Sequence, residues 1–262
     1  MSVFLKLGGS LITDKDRPET ARLDVLKRLS DEIAAAFEDD PGLRLVLGHG
    51  SGSFGHTVAA LHGTHAGAVT PDDWRGFAAV WASASRLTRI VIDCLLEAGL
   101  PAIALPPSSS AECEDGRLIT MATFPIERTL RAGLLPVIRG DVAFDRVRGS
   151  TIVSTEKVMA YLAPIFKPSR VLMAGVEPGV FADFPKNERL VEVLTPAKHE
   201  EIRIDGARST DVTGGMADKV TQAFVLARAV PDVEVRIFSG MEPGAVRRAI
   251  SGGRVGTLIL LS

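Results

Sequence analysis

Two glycine turns near the start of the chain carry the residue types that phosphate chemistry needs. Lys6-Leu7-Gly8-Gly9-Ser10 follows a short apolar run, with Thr13-Asp14-Lys15 just beyond it. Further on comes Gly48-His49-Gly50-Ser51-Gly52-Ser53-Phe54-Gly55-His56. Each turn opens out of a strand-like segment, Val3 to Leu5 and Leu43 to Leu47. Glycines placed after strands let backbone N–H groups approach a phosphate closely. Two such turns, with two lysines and a histidine beside them, describe a site for more than one phosphate. That is what phosphoryl transfer requires.

Other segments extend the pattern. Asp211-Val212-Thr213-Gly214-Gly215-Met216-Ala217-Asp218-Lys219 opens an amphipathic segment, with Thr213 as its N-cap. Two glycines where better helix formers would serve suggest close approach of a ligand, and Lys219 falls within the first two turns, able to face phosphates there. Gly140-Asp141 follows the strand-like run Leu135–Ile138, at the carboxyl end of a strand, where ligands sit in open α/β sheets. His56 stands where the glycine loop meets a helix over Thr57–Leu61, so a helix N-terminus and an imidazole can hold an anion together. Position alone also admits plainer roles. Lys6 reads equally as a strand-end lysine, Thr13-Asp14-Lys15-Asp16 as a solvated turn, and His56 as a polar residue of a first helical turn.

Other chemistries fit less well. Gly50 to Gly55 formally satisfies GxGxxG, but a dinucleotide site wants a second strand ending in an acid about 20 residues on. Here that region is His62-Gly63-Thr64-His65, and Asp72 and Asp73 read as first-turn acids of the next helix. No GxxxxGK[ST] stretch exists. Four histidines crowd residues 49–65, yet no cysteine lies nearby, and their alternation with glycine does not resemble a zinc site; no metal ligands are assigned.

The elements that would position these residues alternate. Strand-like runs are Val3–Leu7, Leu43–Leu47, Ala102–Leu105, Leu135–Ile138, Thr151–Val153, Arg170–Met173, Glu234–Phe238 and Thr257–Leu261. Helix-like segments lie near 20–38, 71–98, 156–166, 213–230 and 243–251. This order predicts an α/β fold, a largely parallel sheet covered on both faces. Gly140–Ser154 reads as a hairpin. The stripe Trp74, Phe77, Val80, Trp81, Leu87, Ile90 and Val91 reads as core packing, with its tryptophan half lining an apolar acceptor pocket. One domain over 1–262 is expected, with two lobes dividing softly near residue 150.

Composition narrows the partners. The chain has 262 residues, 46% hydrophobic, and a net charge of −2, so it lacks a basic footprint for nucleic acid or an anionic membrane. No apolar stretch is long enough to cross a bilayer, and the first residues lack a secretory pattern. Cys94 and Cys113 form no framework and read as ordinary thiols in a reducing cytoplasm.

Together, Lys6-Leu-Gly-Gly-Ser, Thr13-Asp-Lys15, Gly50-Ser-Gly-Ser-Phe-Gly-His56, Gly140-Asp141-Val142 and Asp211-Val-Thr-Gly-Gly-Met216 with Lys219 resemble the amino acid kinase superfamily, and within it most resemble isopentenyl phosphate kinases. A relative sharing the loop histidine is the fosfomycin-resistance kinase. The resemblance implies an open αβα sandwich, ATP with Mg²⁺, a homodimer, and isopentenyl phosphate as acceptor. It implies that Lys6, Gly8, Gly9 and Ser10 meet the ATP phosphates, with Gly215 and Lys219 also on ATP. Lys15 would stabilise the transferring group. Ser51 and Gly52 would lie between acceptor and nucleotide, His56 would bind the acceptor phosphate, and Gly50 and Gly140 would contact the acceptor.

Two stretches depart from the family pattern. Ser154-Thr155-Glu156 stands where Ser-Gly-Asp is common, so Glu156 takes the place of the aspartate that orients the lysines, one methylene longer. Ala174-Gly175-Val176-Glu177-Pro178-Gly179-Val180 stands where Thr-Asp-Val-Asp-Gly-Val is common, a change that bears on base and ribose contacts. The expected reaction is transfer of the γ-phosphoryl of ATP to isopentenyl phosphate. A kinase for another small phosphate or phosphonate, such as fosfomycin, and a nucleotide-binding regulator without turnover are the alternatives. Retention of Lys6, Lys15, His56 and Lys219 together argues against the last.

Overall fold

The apolar runs become strands of two sheets in the computed structural model, which describes residues 2–202 and 215–262. Numbered in chain order, the larger sheet contains β1 (Ser2–Leu7), β2 (Arg44–His49), β3 (Ala102–Ala104), β6 (Leu135–Arg139), β9 (Arg170–Gly175), β10 (Val193–Leu194), β11 (Glu234–Ser239) and β12 (Thr257–Ile259). Its order is β10-β12-β11-β9-β1-β2-β6-β3, parallel throughout except between β11 and β12. The smaller sheet, ordered β5-β4-β7-β8, joins β4 (Glu112–Glu114), β5 (Arg117–Thr120), β7 (Asp141–Asp145) and β8 (Gly149–Val153). The helices described are α1 (Gly9–Ile12), α2 (Leu23–Asp39), α3 (Gly52–His62), α4 (Pro71–Glu97), α5 (Phe124–Arg131), α6 (Thr155–Phe166), α7 (Pro196–Glu201), α8 (Met216–Ala229) and α9 (Ala245–Ile250).

Alternation along β1 builds two cores. Val3, Leu5 and Leu7 pack with Leu29 of α2, Leu87 of α4 and Val246 of α9 on one face. Phe4 packs with Val158 of α6 and Val220 and Phe224 of α8 on the other. Helices thus cover both faces, giving the αβα sandwich. The two-residue period of a strand places Lys6 on the Phe4 face, towards α6 and α8. β1 lies between β9 and β2, so the two glycine turns emerge from neighbouring strands at the same edge.

The 140–154 hairpin is present as β7 and β8, paired from Asp141↔Val153 to Asp145↔Gly149. α4 opens on a capping box in which Thr70 and Asp73 satisfy each other's backbone N–H groups, so the first-turn reading of Asp72 and Asp73 holds. Three details correct the sequence reading. Helix α3 starts at Gly52 rather than Thr57, so the glycine turn is itself the first helical turn. Trp74 and Trp81 are 37% and 45% exposed and lie outside the core that Val80, Leu87 and Val91 enter. Trp74 instead meets Phe77 and Phe144 of β7, with ring centroids 5.5 and 6.0 Å away. β4, β5 and α5 were not expected, being short and polar. Asp211 to Gly214, with the Thr213 cap, lie outside the described residues; α8 begins at Met216 behind Gly215.

The two glycine turns touch backbone to backbone. A Cβ on Gly9 would lie 2.5 Å from the Gly52 nitrogen, and one on Gly50 would lie 2.7 Å from the Gly9 nitrogen. Buried Thr13 joins them, its hydroxyl donating to the Gly9 carbonyl at 2.8 Å and accepting from the Ser53 N–H at 3.0 Å. Gly52 has φ +50, and a Cβ there would lie 2.0 Å from Thr13 Oγ1. Overpacking and left-handed strain therefore add at this position. Gly52→Ala should lower unfolding free energy by about 2–4 kcal/mol in urea titration. Gly63, with φ +60 and open space around its Cβ position, provides the control. Gly63→Ala should cost about 1–2 kcal/mol, the strain alone. Equal losses would contradict the packing argument.

Candidate active site

Lys6 is 8% exposed at the centre of the sheet, and its ammonium donates to Glu156 Oε1. Glu156 sits in the first turn of α6, whose N-cap Ser154 accepts from the Lys157 N–H at 3.2 Å. Thr155 Oγ1 donates to the His49 carbonyl at 2.7 Å and ties this turn to the end of β2. Burial would raise the Glu156 carboxyl, but the charge and hydrogen bond of Lys6 outweigh it and hold the group below the usual carboxylate range. The extra methylene relative to aspartate does not keep Glu156 from reaching the lysine.

Beside this pair lies a cavity of about 380 Å³, lined by Ser10, Lys15, Glu177, Phe181, Gly215 and Lys219 among others. Lys219 rests against the end of β9, where a Cβ on Gly175 would lie 3.4 Å from its Nζ. Burial pulls the Lys219 ammonium below the ordinary lysine value, and the positive charges of Lys6 and Lys15 push it further, against a smaller opposing pull from Glu156 and Glu177. Lys15 and Lys219 therefore share the cavity, and Lys6, far from both in sequence, lies close enough to act on Lys219. The Gly8 N–H donates to the Ala174 carbonyl at 2.8 Å and fixes the first turn against β9.

The second turn forms the other half. Ser51 is the residue before α3, and its hydroxyl lies 3.4 Å from the Gly140 carbonyl, to which it donates. Gly140 is buried, and His56 is half-buried on the second turn of α3. Lys6, Gly50, Ser51, His56 and Gly140 do not line the 380 Å³ cavity. Sequence reasoning gave no role to Thr13, His49 or the ion pair Arg139–Asp141 on either side of Gly140. The pair was visible as two charges closing an apolar strand, a pattern that a buried site favours. Among the described residues, no group of three His, Cys, Asp or Glu side chains is gathered for a metal ion.

The sequence profile of the amino acid kinase family matches residues 1–239. The chain belongs to the amino acid kinase family. Among its relatives, the isopentenyl phosphate kinase of Methanothermobacter thermautotrophicus is 34% identical over 97% of this chain and 96% of that protein. That of Haloferax volcanii is 34% identical over 94% and 98%. A crystal structure of an isopentenyl phosphate kinase matches with TM-score 0.82 at 31% identity, covering 99% of this chain and 100% of that one. The product complex of the T. acidophilum isopentenyl phosphate kinase matches with TM-score 0.79 at 26% identity, covering 99% and 100%.

In this amino acid kinase, the crowding of like charges has a measurable consequence. A protonated Lys219 attracts an anion, so any phosphate affinity it contributes should be present below its pKa and lost as pH rises through it. That loss should come at lower pH than the ordinary lysine value of 10.5. Lys15→Met removes a neighbouring positive charge and should move the alkaline limb of ATP binding upward, measured by calorimetric titration across pH. A limb that stays put or moves down would show that Lys15 does not act on Lys219.

Proposed function

We propose that this amino acid kinase transfers the γ-phosphoryl group of ATP to isopentenyl phosphate, giving isopentenyl diphosphate and ADP. The observation that carries the reading is the convergence of Lys6, Lys15 and Lys219 beside two interlocked glycine turns. The near full-length likeness to isopentenyl phosphate kinases supports the choice of acceptor.

In this reading residues 1–150 form the acceptor lobe and 151–262 the nucleotide lobe. Gly8, Gly9, Ser10, Gly52 and Gly215 meet ATP with Lys6 and Lys219, and Gly50, Ser51, His56 and Gly140 meet the acceptor. An acceptor phosphate oxygen is already ionised, so no strong base is needed. That oxygen bonds to the γ-phosphorus as the bond from phosphorus to the β,γ-bridging oxygen breaks, and ADP leaves with the electron pair. The chain's part is positioning and charge neutralisation. Lys6 acts from a fixed place because Glu156 holds it, and Lys15 follows the transferring group. Magnesium, carried on the nucleotide phosphates, would neutralise charge between them. The chain's own contribution is to hold those phosphates. The assembly proposed is a homodimer working in the cytoplasm; among the described residues, no helix is long and apolar enough to cross a membrane.

The test is ADP release from MgATP with isopentenyl phosphate and, separately, with fosfomycin. Turnover with isopentenyl phosphate is expected; turnover with fosfomycin alone would reassign the acceptor. His56→Ala should raise the acceptor KM by about tenfold or more, the loss of one charge-assisted contact, and leave the ATP KM within about twofold. Lys219→Ala should do the reverse. Equal effects of both on ATP alone would contradict the division into two lobes.

A further inference from the structure

Behind the second glycine turn lies a buried polar chain that neither the lysines nor His56 explain. His49 ends β2 and is fully buried on the Leu45 and Leu47 face, towards α4. Its Nδ1 lies 3.2 Å from the Gly50 carbonyl and its Nε2 lies 3.0 Å from Thr88 Oγ1. Arg139 Nη1 donates to that same hydroxyl at 2.8 Å. Arg139 is itself pinned, donating through Nε and Nη2 to Asp141 Oδ2 at 3.0 and 2.8 Å and through Nη2 to Ser85 Oγ at 3.0 Å. Ser108 Oγ and the Val142 N–H donate to the Asp141 carboxylate at 2.7 and 2.9 Å.

The Gly50 carbonyl decides which ring nitrogen carries the proton. A carbonyl only accepts, so His49 Nδ1 carries hydrogen and donates to Gly50. A neutral ring then has a bare Nε2, which accepts. Arg139 only donates, so Thr88 accepts from it; the single hydrogen of Thr88 has two acceptors at 3.0 Å, the Ala84 carbonyl and a bare Nε2, and with the ring proton on Nδ1 it serves Nε2. Burial, helped by the nearby Arg139 charge, lowers the ring's pKa to about 4 and keeps it neutral.

The receiving carbonyl belongs to the Gly50–Ser51 peptide. In a planar trans peptide the carbonyl and the N–H point to opposite edges. Holding the Gly50 carbonyl on the ring therefore turns the Ser51 N–H away from the core, towards the start of α3. Neither the Ser51 nor the Gly52 N–H donates to another described residue. We propose that His49 is a positioning residue for the acceptor: its Nδ1–H sets the Gly50–Ser51 peptide so that the Ser51 N–H meets the acceptor phosphate, and Thr88, held by Arg139, meets the ring's other nitrogen and fixes its orientation. The inference rests on the acceptor assignment made above and names residues outside it.

Asparagine reproduces a donor near Nδ1, whereas glutamine places its amide near Nε2. With the full chain, His49→Gln should raise the isopentenyl phosphate KM by about tenfold, while the ATP KM stays within about twofold. His49→Asn should restore the acceptor KM to within about threefold of the native value. Thr88→Val should act like His49→Gln, and Thr88→Ser should rescue it. Equal impairment by asparagine and glutamine, or parallel rises in both KM values, would overturn the proposal. Should the variants fold poorly, ¹H–¹⁵N correlation of the native ring decides the tautomer: a protonated Nδ1 is expected, and a protonated Nε2 overturns the proposal. Absence of native turnover with isopentenyl phosphate would overturn the functional reading alone. Inorganic phosphate binding, weaker in His49→Gln than in His49→Asn, would still support the role of His49, and equal binding would refute it.

Discussion

The contact on which the structure depends is backbone against backbone, between Gly9 and the pair Gly50 and Gly52. It forms because β1 and β2 are parallel neighbours whose turns leave the same edge together. With side chains on Gly9 and Gly50 the turns would have to move apart, since the added carbons would lie 2.5 and 2.7 Å from main-chain nitrogens. Thr13 is the only side chain seen to bridge the two turns through both an accepted and a donated bond among the described residues. Glycine here acts as spacing: close approach makes the distance between two anions a property of the main chain.

Around that contact the protein concentrates charge of one sign. Lys6 and Lys219 are withdrawn from water, and Lys15 adds its field from the cavity wall. Glu156 pairs directly with Lys6. Such an arrangement opposes folding, since buried like charges repel and lose solvation. Its use is to be completed by an anion. In the proposed reaction the phosphates offset this repulsion, so stability and binding would be linked through one set of side chains.

Much of this was legible in the sequence because it is written locally. A strand ending in glycine, a lysine beside it and a capped helix are each contained in a few residues, and β1, β2, β6, β9 and β11 follow from apolar runs. The start of α3 was misplaced because glycines disfavour helix, and only tertiary contact with Thr13 and Gly9 commits Gly52 to one. β4 and β5 escaped because their stability comes from pairing with β7 rather than from their own pattern. The site was half legible. Lys6, Lys15 and Lys219 announced themselves through their glycines, and Glu156 through its place in a known pattern. His49 and Arg139 did not, because their meaning lies in α4 side chains that periodicity marks only as helix. Trp81 misled in the opposite sense: helical spacing placed it in a stripe that the real packing leaves at the surface.

β1 pairs with β2 on one side and with β9 on the other, joining Val3 to Arg170 and Leu7 to Ala174. The consequence appears during synthesis. β1 is made before β2 and long before β9, so its second neighbour arrives only after the residues between them. At typical translation rates that interval is roughly 10–30 s. Throughout it the apolar β1 keeps one edge open, with Lys6 lacking the Glu156 carboxylate until α6 is made. The β9 edge and the Lys6–Glu156 pair are therefore late contacts, made only once residues 156–175 have followed the rest of the sheet's first half.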